Sequence, residues 1–393
     1  MPYLPVMSAY ESGLDRASIW RQPSVSPVLS LPVRMKADVS STGAGICIAM
    51  VDSDFVQHPD LMLPENRILK YYDAVDDIEH DLPGMTATPR HWHGTMTACT
   101  AAGNGHLSQG KFRSLAPDAS LVLIRTMDET GHITTDVIVR ALQWIADKAE
   151  TYDIRVVNMS VYADELDHSI DHPVNRHVEE LVAEGIVVVA AAGNNPYAPI
   201  RPPAAAPGAL TIGGLNDKNT LRTDDGELYH STFGITDTGI QKPELIAPAI
   251  WLPGPILPDT TVHREAAALC ALDAMDDDML LACAPRLLPY TKIPVAVWTS
   301  RDVMTIRQRI AERLHSELIA TPFYKMVDGT SFAAPIVTSV VAQMLSIDPS
   351  LRPGDVKDIL ASTAALLPDQ PTIRQGYGVL QQAEALRAVR SRD

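Results

Sequence analysis

Short apolar runs rich in Val, Ile and Ala recur along this chain at 45–51, 120–124, 155–159, 186–192 and 209–214. Runs that stay apolar without alternating suit strands buried on both faces. Between them lie stretches of helical period. In 134–149 the apolar residues are Val137, Ile138, Ala141, Leu142 and Ile145, and in 173–184 they are Val174, Val178, Leu181 and Val182. Strands that alternate with helices imply a parallel sheet covered by helices on both faces. The expected fold class is therefore α/β, in three layers around a mostly parallel central sheet. Reacting groups in such sheets gather beyond the carboxyl ends of the strands. The polar residues that follow the runs are Asp52, Ser160 and Asn194.

Composition narrows the partners. The 393 residues are 46% hydrophobic, enough for one large core or two smaller ones. Lys and Arg number 32 against 48 Asp and Glu, a net charge of -16. Neither nucleic acid nor an anionic membrane is an expected partner of so acidic a chain. No apolar run reads as a membrane span. Cys47, Cys99, Cys270 and Cys283 lie far apart, without the CxxC pairs of a zinc site or the density of a disulfide scaffold. Residues 1–35 contain no basic segment followed by an apolar one, and a cytoplasmic setting is expected.

The segment Gly329-Thr330-Ser331-Phe332-Ala333-Ala334-Pro335 sets a serine before an apolar run, 332–345, that reads as a buried helix. The free N–H groups of a helix start suit a nucleophile whose reaction generates an oxyanion. An N-cap serine is the plainer structural reading. A serine nucleophile needs a base, and the base needs a partner that fixes its tautomer. Asp52 ends the first apolar run, and His93 opens His93-Gly94-Thr95-Met96-Thr97-Ala98-Cys99. Asn194 follows a run ending in Gly193 and offers an amide to an oxyanion. Taken singly, these are also ordinary strand-end, helix-start and turn residues. His91 reads as a loop histidine and Asn195 as a turn residue.

The order Asp52, His93, Ser331 is that of subtilisin. With VDSDFVQHPDL, HGTMTA, LAPDASLVLIRTMDETG, VVNMS, VVVAAAGN and GTSFAAP, the chain resembles the subtilase family of serine peptidases over roughly 41–250 and 323–390, in layout closest to intracellular subtilases. The resemblance implies a subtilisin-like fold and a serine endopeptidase acting on protein or peptide substrates. Ser331 would be the nucleophile, His93 the general base and then acid, and Asp52 its orienting partner. Asn194, the Ser331 N–H and the Thr330 hydroxyl would stabilise the oxyanion. Ser160, Val161 and Tyr162 would pair with an extended substrate. Ala191, Ala192 and Gly193 would form the other wall of the pocket for the residue before the cut. No cofactor is required by this chemistry and no metal ligand is assigned. Structural calcium is left open but not indicated, since Asp276-Asp277-Asp278 lacks a ligand pattern and reads as a solvated helix face. The oligomeric state is not legible. An alternative keeps the acyl-enzyme but passes it to an amine, as in a transpeptidase or macrocyclase of peptide maturation. A catalytically dead binding module is the third reading.

The chain departs from the family pattern in several places. Asp54 stands where glycine is usual, and a positive φ is expected there. Met96 replaces a second histidine that is not catalytic. Ser160-Val161-Tyr162-Ala163 replaces Ser-Leu-Gly-Gly; with Asp164, Glu165 and Asp167 following, a small or basic side chain near the cut is expected. Cys99 is read either as a neighbour of His93 or as a small buried residue. Residues 1–40 are expected to form an N-terminal extension, with 2–6 vaguely resembling the inhibitory segment of intracellular subtilases. Residues 41–393 would form the catalytic domain. They contain a largely helical insertion at about 254–322, with helices at 263–284 and 301–320 and a strand at 294–298. Its candidate roles are a lid, a substrate-recruiting surface or an oligomer contact.

Overall fold

The computed structural model describes residues 28–164, 171–222 and 225–392. The strands of its main sheet are β1 (Cys47–Asp52), β2 (Ile68–Asp73), β3 (Ile78–His80), β4 (Ser120–Arg125), β5 (Ile154–Met159), β6 (Val187–Ala191), β7 (Leu210–Asn216) and β8 (Glu227–Leu228). A ribbon of β9 (Gly234–Ile235) and β10 (Gln241–Lys242) follows, and β11 (Leu245–Pro248) completes the sheet. The order is β11-β7-β6-β5-β1-β4-β2-β3, with β8 on β7. Every pairing is parallel except β2 with β3 and β7 with β8. Sequence reading finds the central strands but not β2. Its Lys70 leaves the apolar pattern to reach Asp81 at 3.2 Å, as a strand near a sheet edge can.

Side-chain alternation along β1 divides the core into two faces. Ile48 and Met50 join a cluster with the helices His91–Ala102, Thr330–Ile347 and Gln382–Arg390. Cys47, Ala49 and Val51 join a second cluster with the helices Thr135–Tyr152 and Pro173–Ala183. This is a three-layer α/β body. The Thr330–Ile347 helix is long and apolar enough to cross a bilayer, although the sequence reading found no such span. Its sides are buried here from Phe332 to Leu345, so the same apolar surface serves as core.

Residues 29–40, assigned above to the extension, pack into this body. Leu31 is buried in the first cluster, and the buried Arg34 forks onto Asp217 and donates to the Trp251 carbonyl at 3.0 Å. Residues 1–27, including the 2–6 segment, lie outside the described residues.

Residues 253–326 form a compact unit of their own. In this unit β12 (Leu252–Pro255), β13 (Ile319–Thr321) and β14 (Tyr324–Val327) form a sheet in the order β12-β14-β13. Leu269, Leu272, Leu280, Trp298, Ile306, Ile310 and Leu314 pack in its core. The single helix expected at 263–284 is two, Thr261–Ala274 and Asp277–Leu287. Asp276 breaks it by accepting from Met279 N at 2.8 Å, as an N-cap does. The acidic run is therefore a helix start, where carboxylates favour the helix dipole, and its three side chains are exposed, as expected of a solvated face. The expected strand at 294–298 is instead the short helix Val295–Thr299. A five-residue apolar run is too short for period alone to decide.

Candidate active site

Asp52 is the last residue of β1, wholly buried between β4 and β5. Its Oδ1 accepts from Ser53 N at 2.7 Å and lies 2.6 Å from His93 Nδ1; its Oδ2 accepts from Thr97 Oγ1 at 2.8 Å. With Nδ1–H donating to the carboxylate, the neutral ring presents Nε2 as its basic atom. Burial alone would push the imidazole down. The Asp52 charge and hydrogen bond outweigh it, and the His93 pKa lies above the usual histidine value. His93 is the third residue of its helix, not the cap, which is Arg90. Gly94 permits the contact: a Cβ there would stand 2.4 Å from the Asp54 carbonyl and 3.2 Å from Asp52 Cβ.

Ser331 is the second residue of the Thr330–Ile347 helix, which follows Gly329 at φ 134°, a conformation that glycine supplies without strain. The motif's proline has a distinct task. Pro335 has no N–H to offer the carbonyl of Ser331 four residues earlier. That carbonyl instead accepts from Ser160 Oγ at 2.9 Å. Ser160 Oγ in turn accepts from Asn158 Nδ2 at 3.0 Å, and Asn158 Oδ1 accepts from Thr338 Oγ1 at 2.9 Å. A buried polar chain thus ties the end of β5 to the serine helix. Among the described residues no hydrogen bond joins His93 Nε2 to Ser331 Oγ. The His93 ring lies 5.9 Å, centroid to centroid, from that of Phe332, the residue after Ser331. Such bonds are often long until substrate is bound.

Asn194 faces the same helix start. Its Oδ1 accepts from Thr330 N at 2.9 Å and from Thr330 Oγ1 at 3.0 Å. Two donors fix which end of the amide is oxygen, and among the described residues Nδ2 donates no hydrogen bond. Thr330 is fully buried and also accepts from Gly193 N at 3.1 Å. Its hydroxyl donates to Asn194 Oδ1 and so steadies the amide expected to stabilise the oxyanion. Asn195 is a turn residue, with its Oδ1 accepting from Tyr197 N at 3.0 Å.

The candidate substrate walls leave adjacent strands. The β5 ladder ends at Met159, paired with Val51 and Ala190, and Ser160, Val161 and Tyr162 continue beyond it. Val161 is buried and Tyr162 is 49% exposed. Ala191 ends the neighbouring β6, and Ala192 and Gly193 follow it. The Asp164 carboxylate accepts from Ile133 N at 3.0 Å and lies 3.0 Å from His132 Nδ1, so it holds the 128–133 loop. Glu165 and Asp167 lie outside the described residues.

Several contributors escaped the sequence reading. Asp54 does not adopt a positive φ. It is buried, accepts from Tyr71 OH at 2.8 Å and Phe55 N at 2.7 Å, and lies 3.2 Å from His91 Nε2. Burial opposes its charge, but these contacts prevail and hold its carboxyl below the usual range. His91 is thus a helix-start partner of Asp54, not a loop residue. Cys99 Sγ lies 3.7 Å from His58 Nδ1, and burial pushes its thiol well up. His58, Asp60 and Cys99 bring donor atoms within 4.8 Å of one another. Yet His58 Nδ1 accepts from Asp60 N at 3.1 Å and Asp60 Oδ1 from Leu107 N at 3.0 Å. The donors are turned to the protein's own N–H groups, and a protonated thiol is a poor metal ligand.

Comparison with known proteins gives this geometry a context. Residues 43–378 match the family model described as the subtilase family, Peptidase_S8. Serine protease AprX of Bacillus subtilis (strain 168) is 27% identical over 349 residues, which are 86% of this chain and 65% of AprX. A subtilisin of Bacillus sp. (strain TA39) is 30% identical over 210 residues, 52% of this chain and 48% of that protein. The chain therefore spans between about half and two thirds of these relatives. Among solved structures, the S41 psychrophilic protease matches with a TM-score of 0.60 at 21% identity, over 91% of this chain and 99% of that one. The prenylagaramide maturation protease PagA matches at 0.55 and 16%, over 90% and 95%.

Proposed function

The chain belongs to the subtilase family, and from that premise we propose that it is a serine endopeptidase working through an acyl-enzyme on Ser331. The observation that carries the proposal is the buried carboxylate of Asp52, 2.6 Å from Nδ1 of a partly exposed His93. His93 Nε2 takes the Ser331 hydroxyl proton as Oγ bonds to the substrate carbonyl carbon. Asp52 stabilises the resulting imidazolium. Negative charge develops on the carbonyl oxygen, where the Asn194 Nδ2 hydrogens and the Ser331 N–H donate. The C–N bond then breaks as His93 returns the proton to the leaving amine. Water adds to the acyl-enzyme by the same proton route in reverse. Substrate pairs as an added strand along Ser160, Val161 and Tyr162, which run past the end of the β5 ladder.

The proposed substrates are intracellular proteins or peptides. Four cysteines without disulfides support a reducing compartment. A second reading, transfer of the acyl group to an amine in peptide maturation, draws on the fold shared with PagA. Labelling with a fluorophosphonate, followed by product mass analysis of a cleaved peptide, tests both. Wild type should label at Ser331 and add one water to each cut bond, while Ser331→Ala does neither. Products that lack the added water would favour transfer, and an unlabelled Ser331 would defeat the acyl-enzyme.

A further inference from the structure

Arg201 lies on the loop beyond Asn195. Its guanidinium carbon sits 5.1 Å from the centroid of the Tyr162 ring, within cation–π range. Arg34 is paired with Asp217 and Arg125 with Asp73, and the partly buried Arg67 and Arg140 donate to backbone carbonyls. Arg201 is partly buried, yet among the described residues it forms no ion pair and no side-chain hydrogen bond.

Its place bears on substrate choice. Tyr162 stands two residues beyond Ser160, whose hydroxyl holds the Ser331 carbonyl at 2.9 Å. Two residues span at most about 7 Å, so the ring that seats Arg201 is attached close to the nucleophile's backbone. The acid nearest in sequence, Asp164, is bound to Ile133 N and His132 and does not neutralise it. A stacked guanidinium keeps its in-plane donors free, in the fork that a carboxylate accepts.

We propose that Arg201, seated on Tyr162, is the specificity residue of the substrate cleft and selects an acidic side chain, Glu or Asp, immediately before the cut bond. This rests on the endopeptidase reading above and reverses the small or basic preference expected from the sequence. The Asp164–Asp167 acids suggested that preference, and Asp164 is engaged elsewhere.

The test is a matched set of fluorogenic peptides differing only in the residue before the scissile bond: Glu, Gln, Lys or Leu. Rates are normalised to sites titrated with fluorophosphonate. Wild type should favour Glu over its isostere Gln by about 10- to 100-fold in kcat/KM, the range of a charge-assisted, partly desolvated contact. Arg201→Gln should bring that ratio to about 2 or less, Arg201→Lys should keep part of it, and Arg201→Glu should favour the Lys peptide. A wild-type ratio near 1, or a ratio unchanged in Arg201→Gln, overturns the assignment while leaving the protease reading intact. Absence of both labelling and turnover defeats that reading, and this inference with it.

Discussion

Replacing Thr330 with Val keeps the shape of the side chain and removes one hydroxyl with two hydrogen bonds. One goes to Asn194 Oδ1 at 3.0 Å and the other comes from Gly193 N at 3.1 Å. The amide of Asn194 would then be held only by Thr330 N, at 2.9 Å. A net hydrogen bond contributes about 1 kcal/mol, and each 1.4 kcal/mol is tenfold in rate, so kcat should fall roughly 5- to 10-fold with KM little changed. Asn194→Ala, which removes the oxyanion donor itself, should lower kcat about 10²- to 10³-fold. If Thr330 acts through Asn194, the double variant should be no slower than Asn194→Ala alone, a coupling of about 1 kcal/mol. Stability reports separately. The partly buried Gly193 N–H loses its acceptor, which costs about 1 kcal/mol and lowers the urea midpoint without changing the slope. Thr330→Ser should restore both rate and midpoint. The assay is peptide hydrolysis at titrated active sites beside urea unfolding of the same five proteins, wild type included. A double variant slower than Asn194→Ala by the full Thr330→Val factor would refute the reasoning, because independent effects multiply.

Because His93 titrates above the usual histidine range, the acid limb of kcat/KM should lie above pH 6.5, with activity lost as pH falls through it. The linked stability has the opposite sense: the folded state binds the extra proton, so the pair stabilises fully below the unfolded histidine pKa and less as pH rises through the folded one. Unfolding of Ser331→Ala with and without His93→Gln at pH 5.5 and 8.5 should show the larger difference at pH 5.5. Burial lowers the Lys242 pKa to about 8 against the opposing charge of Glu244, whose Oε1 is 2.6 Å away. Its contribution to stability should therefore rise with pH between about 8 and about 10.5, where the unfolded chain still holds the proton. Glu244→Gln should cost about 3–5 kcal/mol at pH 7 by stranding that ammonium, measured by urea titration. In the 253–326 unit, β12 pairs within one sheet with β14, and Ile256 N donates to the Phe323 carbonyl at 2.7 Å. The two ends of the excursion thus meet. Replacing 256–323 with a short Gly-Ser linker should leave a folded protein whose Ser331 labels with fluorophosphonate. A protein that melts out or fails to label would show that the catalytic body depends on this unit.

The residues proposed as nucleophile, base, orienting carboxylate and oxyanion amide could be picked out because their chemistry restricts residue type and because Asp52 and Asn194 follow apolar runs while Ser331 precedes one. Their support was less legible. Asn158 and Thr338 are 180 residues apart, and nothing in either neighbourhood announces the other. Thr97 reads as one small residue among several, until its hydroxyl is found on Asp52 at 2.8 Å. Asp54 was read as a backbone substitute for glycine, whereas it anchors a buried group with Tyr71 and His91. The single helix at 263–284 failed because propensity ran across Met275 and Asp276, and only packing makes Asp276 a cap.

The sequence by itself determined the layers, the parallel sense of the central strands and the residue types able to carry acyl transfer. Those follow from periodicity and from the chemistry of single side chains, which are local. Tertiary structure alone decided what each polar group faces: the Thr330 hydroxyl toward Asn194, Asp164 toward Ile133, and Arg201 over Tyr162 with no ion pair among the described residues. The physical reason is that hydrogen bonds and ion pairs act over about 3–4 Å, and which groups come that close is fixed by how distant segments pack, not by their spacing along the chain.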